Sequence, residues 1–219
     1  MSRMQMIRSC ASLVALGCCF VRVAAAQEDV IVAEDETTEY ALIAATAAWT
    51  LDGRVGAYAL GARLTGDVEA NAFAVGLSYD LTEDAFIRVG YLGVFDETTP
   101  ARPSPRDDRA RAELYWTRQV GSVTLQHRSR VEHRFRDVAD QTRYRPRLRA
   151  TFGGGRVAPF VSAEAFYAFQ DDDLQLVLLE GGAFVRLSER VSVSGSILYG
   201  TAQREGRTRI GLIALATRF

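Results

Sequence analysis

Two segments set the fold: VTLQHRSRVEHRFR at residues 123–136 and, after a short polar break, TRYRPRLRATF at residues 142–152. In the first, Val123, Leu125, Val131 and Phe135 alternate with Thr124, Gln126, Arg128, Arg130, Glu132, Arg134 and Arg136. In the second, Tyr144, Pro146, Leu148, Ala150 and Phe152 alternate with Arg143, Arg145, Arg147 and Arg149. A period of two marks a strand whose faces meet different surroundings. One face is apolar and the other carries eight arginines. The polar face therefore meets either bulk water or a lumen, and the rest of the chain decides which.

The same period runs outward in both directions, through 41–51, 54–65, 69–81, 86–96, 111–120, 158–170, 174–187, 191–203 and 207–219. The breaks carry turn chemistry, as at Asp52-Gly53, Gly66-Asp67, Thr82-Glu83-Asp84, Gly121-Ser122, Gly153-Gly154-Gly155, Asp171-Asp172-Asp173 and Glu205-Gly206. The one long connection, 97–110, contains Pro100, Pro103 and Pro105. No segment has a helical period, so the chain reads as one all-β unit. So many strands closed with apolar residues inward would enclose more space than those side chains fill. Turning the apolar face to lipid and the small or charged face to a lumen removes the problem, and segments of 10–14 residues suit a tilted bilayer crossing. The fold class is a transmembrane antiparallel β-barrel, an up-and-down meander.

Composition agrees. The chain has 219 residues, 48% of them hydrophobic, and its 26 basic residues are all arginine. No apolar run is long enough for a spanning helix, and Cys10, Cys18 and Cys19 all lie near the start, which excludes a disulfide scaffold and a cysteine-ligated metal. Residues 1–26 read as an export signal: Arg3 and Arg8 precede the apolar stretch Ser9 to Val21, and Ala24-Ala25-Ala26 forms a cleavage site. The expected location is the bacterial outer membrane, with residues 27–219 as the barrel. Cleavage takes away Arg3, Arg8 and Arg22 and no acid, leaving 23 arginines against 27 acids. That balance gives no reason to expect nucleic acid as a partner. The expected partners are outer-membrane lipid and lipopolysaccharide, the barrel-assembly machinery, and small anions.

The last strand ends in Phe219, with Ile213 and Leu215 on its face, and resembles the signal read by that machinery. If Phe219 ends in the periplasm, alternate turns place 97–110 outside and the tight turns mostly inside. An even count then needs a strand before 41–51, for which Asp29 to Ala33 is the candidate. The expectation is about twelve strands, with ten as the alternative.

The same parity sends Arg63, Arg88, Arg111 and Arg186 into the lumen beside the eight arginines of the hairpin, against Asp80, Asp96, Glu113, Glu132, Glu164 and Glu180. Arginine keeps its proton and binds carboxylate or phosphate with two parallel bonds. The ladder is therefore either a plug salt-bridged through Glu113, Glu132 and Glu164, or a narrow anion-preferring passage governed by Arg128, Arg130, Arg145 and Arg147.

The string R-S-R-V-E-H-R-F-R (128–136) followed by R-Y-R-P-R-L-R (143–149), with a terminal Arg218-Phe219, resembles the family designated domain of unknown function 2490 (DUF2490). The resemblance implies an exported outer-membrane barrel and brings no activity, substrate or catalytic residue. Pro146 departs from an unbroken strand and should cost a ladder hydrogen bond.

His127 and Ser129 share the lipid side of their strand, and the pair resembles the H-x-S of lipid A deacylase barrels. A His beside a Ser activates it for ester hydrolysis when a carboxylate orients the ring. Here Arg130 stands where those enzymes have Asn, and Asp140 is the nearest acid. The expectation is a protein that is not an enzyme, with no cofactor and no metal. A lipid-modifying hydrolase and a surface-binding protein are the alternatives. Asp171 to Asp173 read as a solvated loop rather than a cation site.

Overall fold

A computed structural model describes residues 39–66, 69–96, 107–136, 139–171, 173–202 and 207–219. The export signal, the Asp29 to Ala33 segment and most of the long connection lie outside the described residues. Among the described residues eleven strands follow one another: β1 (Glu39–Asp52), β2 (Val55–Gly66), β3 (Ala70–Asp80), β4 (Ala85–Asp96), β5 (Asp107–Val120), β6 (Val123–Arg136), β7 (Gln141–Phe152), β8 (Val157–Ala168), β9 (Asp173–Arg186), β10 (Val191–Ala202) and β11 (Arg207–Arg218). Each pairs antiparallel with the next, and β1 meets β11 to close a barrel.

The closure corrects the expected strand count. β1 runs parallel to β11, with Glu39 opposite Arg209 and Ala48 opposite Arg218, while its other edge pairs with β2. Both edges of β1 are occupied, so no further strand fits between β1 and β11. An even number is needed only if every pair is antiparallel. A parallel ladder saturates backbone groups as well, with slanted and slightly weaker bonds. Closure matters because an open edge in lipid leaves N–H and C=O groups without partners.

Local chemistry places the turns. Gly121 takes a φ of 60°, a left-handed value glycine adopts without strain, in the tight turn from β5 to β6. That turn lies on the rim where Asp52, Asp80, Phe152, Arg186 and Phe219 also end. The opposite rim carries the end of β4 and the starts of β1 and β5. At the first rim Phe219 donates its N–H to the carbonyl of Ala48 at 2.9 Å, and its ring stacks on Trp49 with centroids 5.9 Å apart.

Pro146 interrupts one ladder as expected. Between β7 and β8, Tyr144 pairs with Tyr167 and Arg147 with Glu164, and the two steps between are unpaired. The other edge of β8 shifts register between Phe166 and Tyr167. Pro146 has no N–H to give, which accounts for the gap on the β7 side; with the register shift on the β9 side, the wall is irregular on both sides of Phe166.

The outer face is an apolar belt: Phe73, Val75, Leu77 and Tyr79 on β3 all face outward, as do Ile197 on β10 and Ile213 on β11, Ile197 at 68% exposure. The inner face is divided. Around the β1–β11 seam it is also apolar, with Leu42, Leu60, Leu64, Leu92, Leu198, Ile210 and Leu212 packed in one cluster. Across the lumen from that seam stands β6 with its arginines. Strands near the seam are therefore apolar on both sides, where the sequence reading expected small or charged residues inside.

Candidate functional site

The hairpin of β6 and β7 puts its arginines on shared rungs. Arg128 stands opposite Arg147, and Arg130 opposite Arg145. All four are buried, none exposing more than 2% of its surface. Like charges facing each other across a ladder repel, so such rungs hold only where carboxylates reach in from neighbouring strands. Glu164 on β8 accepts from Arg128 Nη2 at 2.5 Å and from Arg145 Nε at 2.8 Å, both at Oε1. Glu132, one rung further along β6, accepts from Arg145 Nη1 at 3.0 Å and from Arg143 through two donors. Glu113 on β5 pairs with Arg130, whose Nε lies 2.7 Å from Oε1, and accepts from the Tyr115 hydroxyl at 2.7 Å. Arg147 Nη2 donates to Gln126 Oε1 at 3.3 Å.

Three further groups extend the network. Toward the rim where β1 and β5 begin, Asp107 accepts from Arg109 and Arg134, with Nη2 donors at 2.6 and 2.5 Å. Toward the tight-turn rim, Glu180 on β9 accepts from Arg149 Nη2 at 2.9 Å, Ser162 at 3.0 Å and Ser196 at 2.8 Å. At the boundary with the apolar half, aromatic rings carry the guanidinium groups. Arg145 lies 4.0 Å from the Phe166 centroid, Arg149 4.5 Å from Phe160, and Arg88 4.3 Å from Tyr58. Such contacts gain strength where water is excluded. Tyr58 also accepts from Arg111 Nη2 at 2.9 Å. Its ring lies over Gly76 and Gly90, where an added Cβ at residue 90 would stand 2.3 Å from the hydroxyl. Only glycine leaves space for the ring.

All eleven residues singled out on the hairpin and its flanks fall on one connected surface: Arg128, Arg130, Glu132, Arg134, Arg136, Arg143, Arg145, Arg147, Arg149, Glu113 and Glu164. Arg136 is the outlier in burial, half-buried at the rim, with Nε donating to the Ala139 carbonyl at 3.0 Å. Arg88 and Arg111 join the lumen. Arg63 does not: it stands opposite Ile43, which is 62% exposed, and pairs outside with Glu69 at 2.9 Å. The inner face of β2 is carried by Tyr58, Leu60 and Leu64. Apolar residues on both faces of β2 removed the contrast that parity needs. The side chain of Asp96 lies outside the description. Arg109 and Asp107 lie before the segment that the sequence reading opens at 111, although D-D-R-A-R continues the same alternation. Among the described residues, ten arginines (88, 109, 111, 128, 130, 134, 143, 145, 147 and 149) and five carboxylates (Asp107, Glu113, Glu132, Glu164 and Glu180) are buried on this inner face; Asp108, also buried, shares the opposite face with Phe135.

The outer wall of the hairpin carries a second polar group. His127 Nε2 lies 3.0 Å from Ser129 Oγ, which lies 3.1 Å from Tyr144 Oη. His133 Nδ1 lies 2.9 Å from Thr142 Oγ1, and its Nε2 lies 3.8 Å from Asp140. Asp140 is thus beside His133, not His127. Among the described residues no three His, Cys, Asp or Glu are placed to hold a metal ion.

Comparison with known proteins adds two likenesses. A family model described as "Protein of unknown function (DUF2490)" matches residues 50–211. A solved structure described as a bacterial polysaccharide outer membrane secretin superposes with a TM-score of 0.51 at 9% identity, over 76% of this chain and 64% of that one. The chain thus spans under two thirds of that structure's length, and the likeness is one of fold. No curated protein matches the chain.

Proposed function

The chain belongs to the DUF2490 family of proteins of unknown function, and from that premise we propose that it is an outer-membrane barrel whose lumen is closed by an arginine–glutamate plug. It is a wall component rather than an enzyme, and it passes at most small anions at low conductance. The observation that carries this reading is the burial of Arg128, Arg130, Arg145 and Arg147 at the centre of the lumen, each held by side chains from adjacent strands. The apolar belt supports a lipid surrounding, since residues such as Phe73 and Ile197 would otherwise meet water. Its partners are then membrane lipid, lipopolysaccharide, and the assembly machinery acting on the strand that ends at Phe219. Fractionation tests the location, and recovery in the soluble periplasm would refute it. Planar-bilayer recordings in a salt gradient test the plug: we expect near silence or small anion-selective currents. Replacing Arg128, Arg130, Arg145 and Arg147 by Ser should raise conductance and weaken that selectivity. A large cation-selective conductance in the wild type would sink the proposal.

The 3.0 Å contact between His127 and Ser129 favours one second reading, a hydrolase of membrane lipid esters. Against it stand the missing carboxylate at His127 and the mid-strand depth of Ser129, where acyl chains rather than ester carbonyls lie. Lipid A mass spectra with and without the protein separate the two readings. A Ser129-dependent loss of an acyl chain would replace the first by the second.

A further inference from the structure

A polar trio stands on the outer wall at the middle of β6 and β7, in apolar surroundings. His127, Ser129 and Tyr144 are half-buried there and joined side chain to side chain. Trp116 and Leu148 flank His127, Leu114 and Pro146 flank Ser129, and Val131 flanks Tyr144. Polar groups on a lipid-facing wall are costly unless they are bonded, and those that persist there serve contacts or function.

The trio cannot satisfy itself. An uncharged His127 ring, Ser129 and Tyr144 bring one N–H and two O–H hydrogens. Two contacts join them, His127 Nε2 to Ser129 Oγ at 3.0 Å and Ser129 Oγ to Tyr144 Oη at 3.1 Å, and each uses one hydrogen. One hydrogen is left over whichever way the bonds run: on Tyr144 Oη, on Ser129 Oγ or on His127 Nδ1. A second ring proton would leave two. Among the described residues these two contacts are the only side-chain bonds the trio makes. The same atoms keep lone pairs in surplus, because a hydroxyl oxygen accepts twice. The trio therefore needs an acceptor from outside and has acceptors to offer in return.

Acyl chains hold no acceptor, and Ser129 is the seventh of the fourteen residues of β6, deeper than ester carbonyls lie. A protein surface brings an acceptor to that depth. Copies of one chain in one membrane share an orientation, so a two-fold axis along the membrane normal sets each group opposite its own counterpart at equal depth. The trio then faces a second trio, and the surplus hydrogen of each finds a lone pair on the other. The flanks allow close approach: Ala112, opposite Val131, and Ala163, opposite Leu148, are small and exposed.

We propose that the outer wall of β6 and β7 is a self-association surface on which a second copy of this chain docks through His127, Ser129 and Tyr144 about a two-fold axis. The proposal rests on the membrane-barrel reading and gives the trio a binding role in place of a hydrolytic one.

The test is made on the full folded barrel in phosphatidylcholine vesicles, over a series of protein-to-lipid ratios. The three cysteines of the chain lie within residues 1–19, so the barrel carries none of its own. Leu148→Cys, beside His127, should give a dimer band with a short bis-maleimide crosslinker, and Ile197→Cys on β10, 68% exposed, should not. Adding His127→Leu, Ser129→Ala and Tyr144→Phe to Leu148→Cys leaves the wall apolar and should weaken dimerisation about tenfold, the scale of two reciprocal hydrogen bonds in a bilayer. Gel mobility without heating should show an unchanged folded fraction. Ala163→Phe fills a flank, leaves the trio intact and should weaken the dimer as well. Monomers at every ratio, equal crosslinking at residues 148 and 197, or a dimer indifferent to loss of the trio overturns the proposal. Where the triple variant misfolds, indifference to Ala163→Phe overturns it. A barrel that inserts and stays monomeric refutes the dimer and leaves the membrane reading standing, whereas a barrel that fails to enter lipid refutes both.

Discussion

Arg130 and Arg145 share a rung yet turn away from each other: Arg130 Nε meets Glu113 on β5 at 2.7 Å, while Arg145 Nε donates to Glu164 on β8 at 2.8 Å. The repulsion between them is thereby converted into ties between the hairpin and both neighbouring strands. Four strands, β5 to β8, are bound into one block through the lumen rather than through the backbone ladders alone.

Glu164 ties the two arginine rungs to β8. It receives two arginines on one oxygen, so Glu164→Gln should destabilise the barrel by about 3–5 kcal/mol, the range for breaking a buried ion pair from one side. Asp140→Asn, at an exposed carboxylate, should stay within about 0.5 kcal/mol. Urea unfolding followed by tryptophan fluorescence measures both.

Phe166 joins the two halves of the lumen, packed in the apolar cluster and covered by the Arg145 guanidinium. Phe166→Ala should cost about 3–5 kcal/mol for the void it leaves. It should also raise single-channel conductance, because the void lies next to the wall interrupted at Pro146. Unchanged conductance with lowered stability would place the constriction elsewhere.

Gly90→Ala puts a methyl group 2.3 Å from the Tyr58 hydroxyl and 2.7 Å from the carbonyl of Val75. Overpacking of this kind costs about 1–3 kcal/mol. Adding Tyr58→Phe should recover part of the loss, since the hydroxyl is the nearer obstacle, and a double-mutant cycle on Tm reads the recovery. Full additivity would mean that the ring does not occupy this space.

Phe219→Ala removes the stack on Trp49 and should slow insertion into lipid vesicles, read as a lower folded fraction by gel mobility without heating. Trp49 emission should shift to the red in the folded variant, as the indole loses its cover. A normal folding rate in vesicles with failed assembly in cells would assign Phe219 to recognition alone.

All eleven strands were legible as segments of 10–14 residues between turn signals, and those away from the seam also by a clear contrast between their two faces. The lumen network on β6 and β7 was legible because inward arginines recur at alternate positions along both strands. The failures share a cause. On β2 both faces are apolar, so Arg63 was assigned by position and not by contrast, and it lies outside beside Glu69. The apolar cluster around Leu42 and Leu212 was invisible because a strand such as IGLIALA does not say which of its two apolar faces turns inward. Arg109 and Asp107 were lost to a boundary set a few residues late. The parallel seam had no sequence signal, since pairing direction between the first and last strands is decided by closure.

That seam has a kinetic meaning. Every other ladder joins neighbours in sequence, so hairpins from β1 to β11 can form one after another, most of them across short connections. The ladder between residues 39–48 and 209–218 joins the most distant parts of the barrel. Its contacts carry the largest loop entropy and the weaker parallel bonding. The barrel therefore zips locally and shuts last at β1 and β11. The same boundary is where it first comes apart under load, leaving the arginine-tied block of β5 to β8 as the final part to yield.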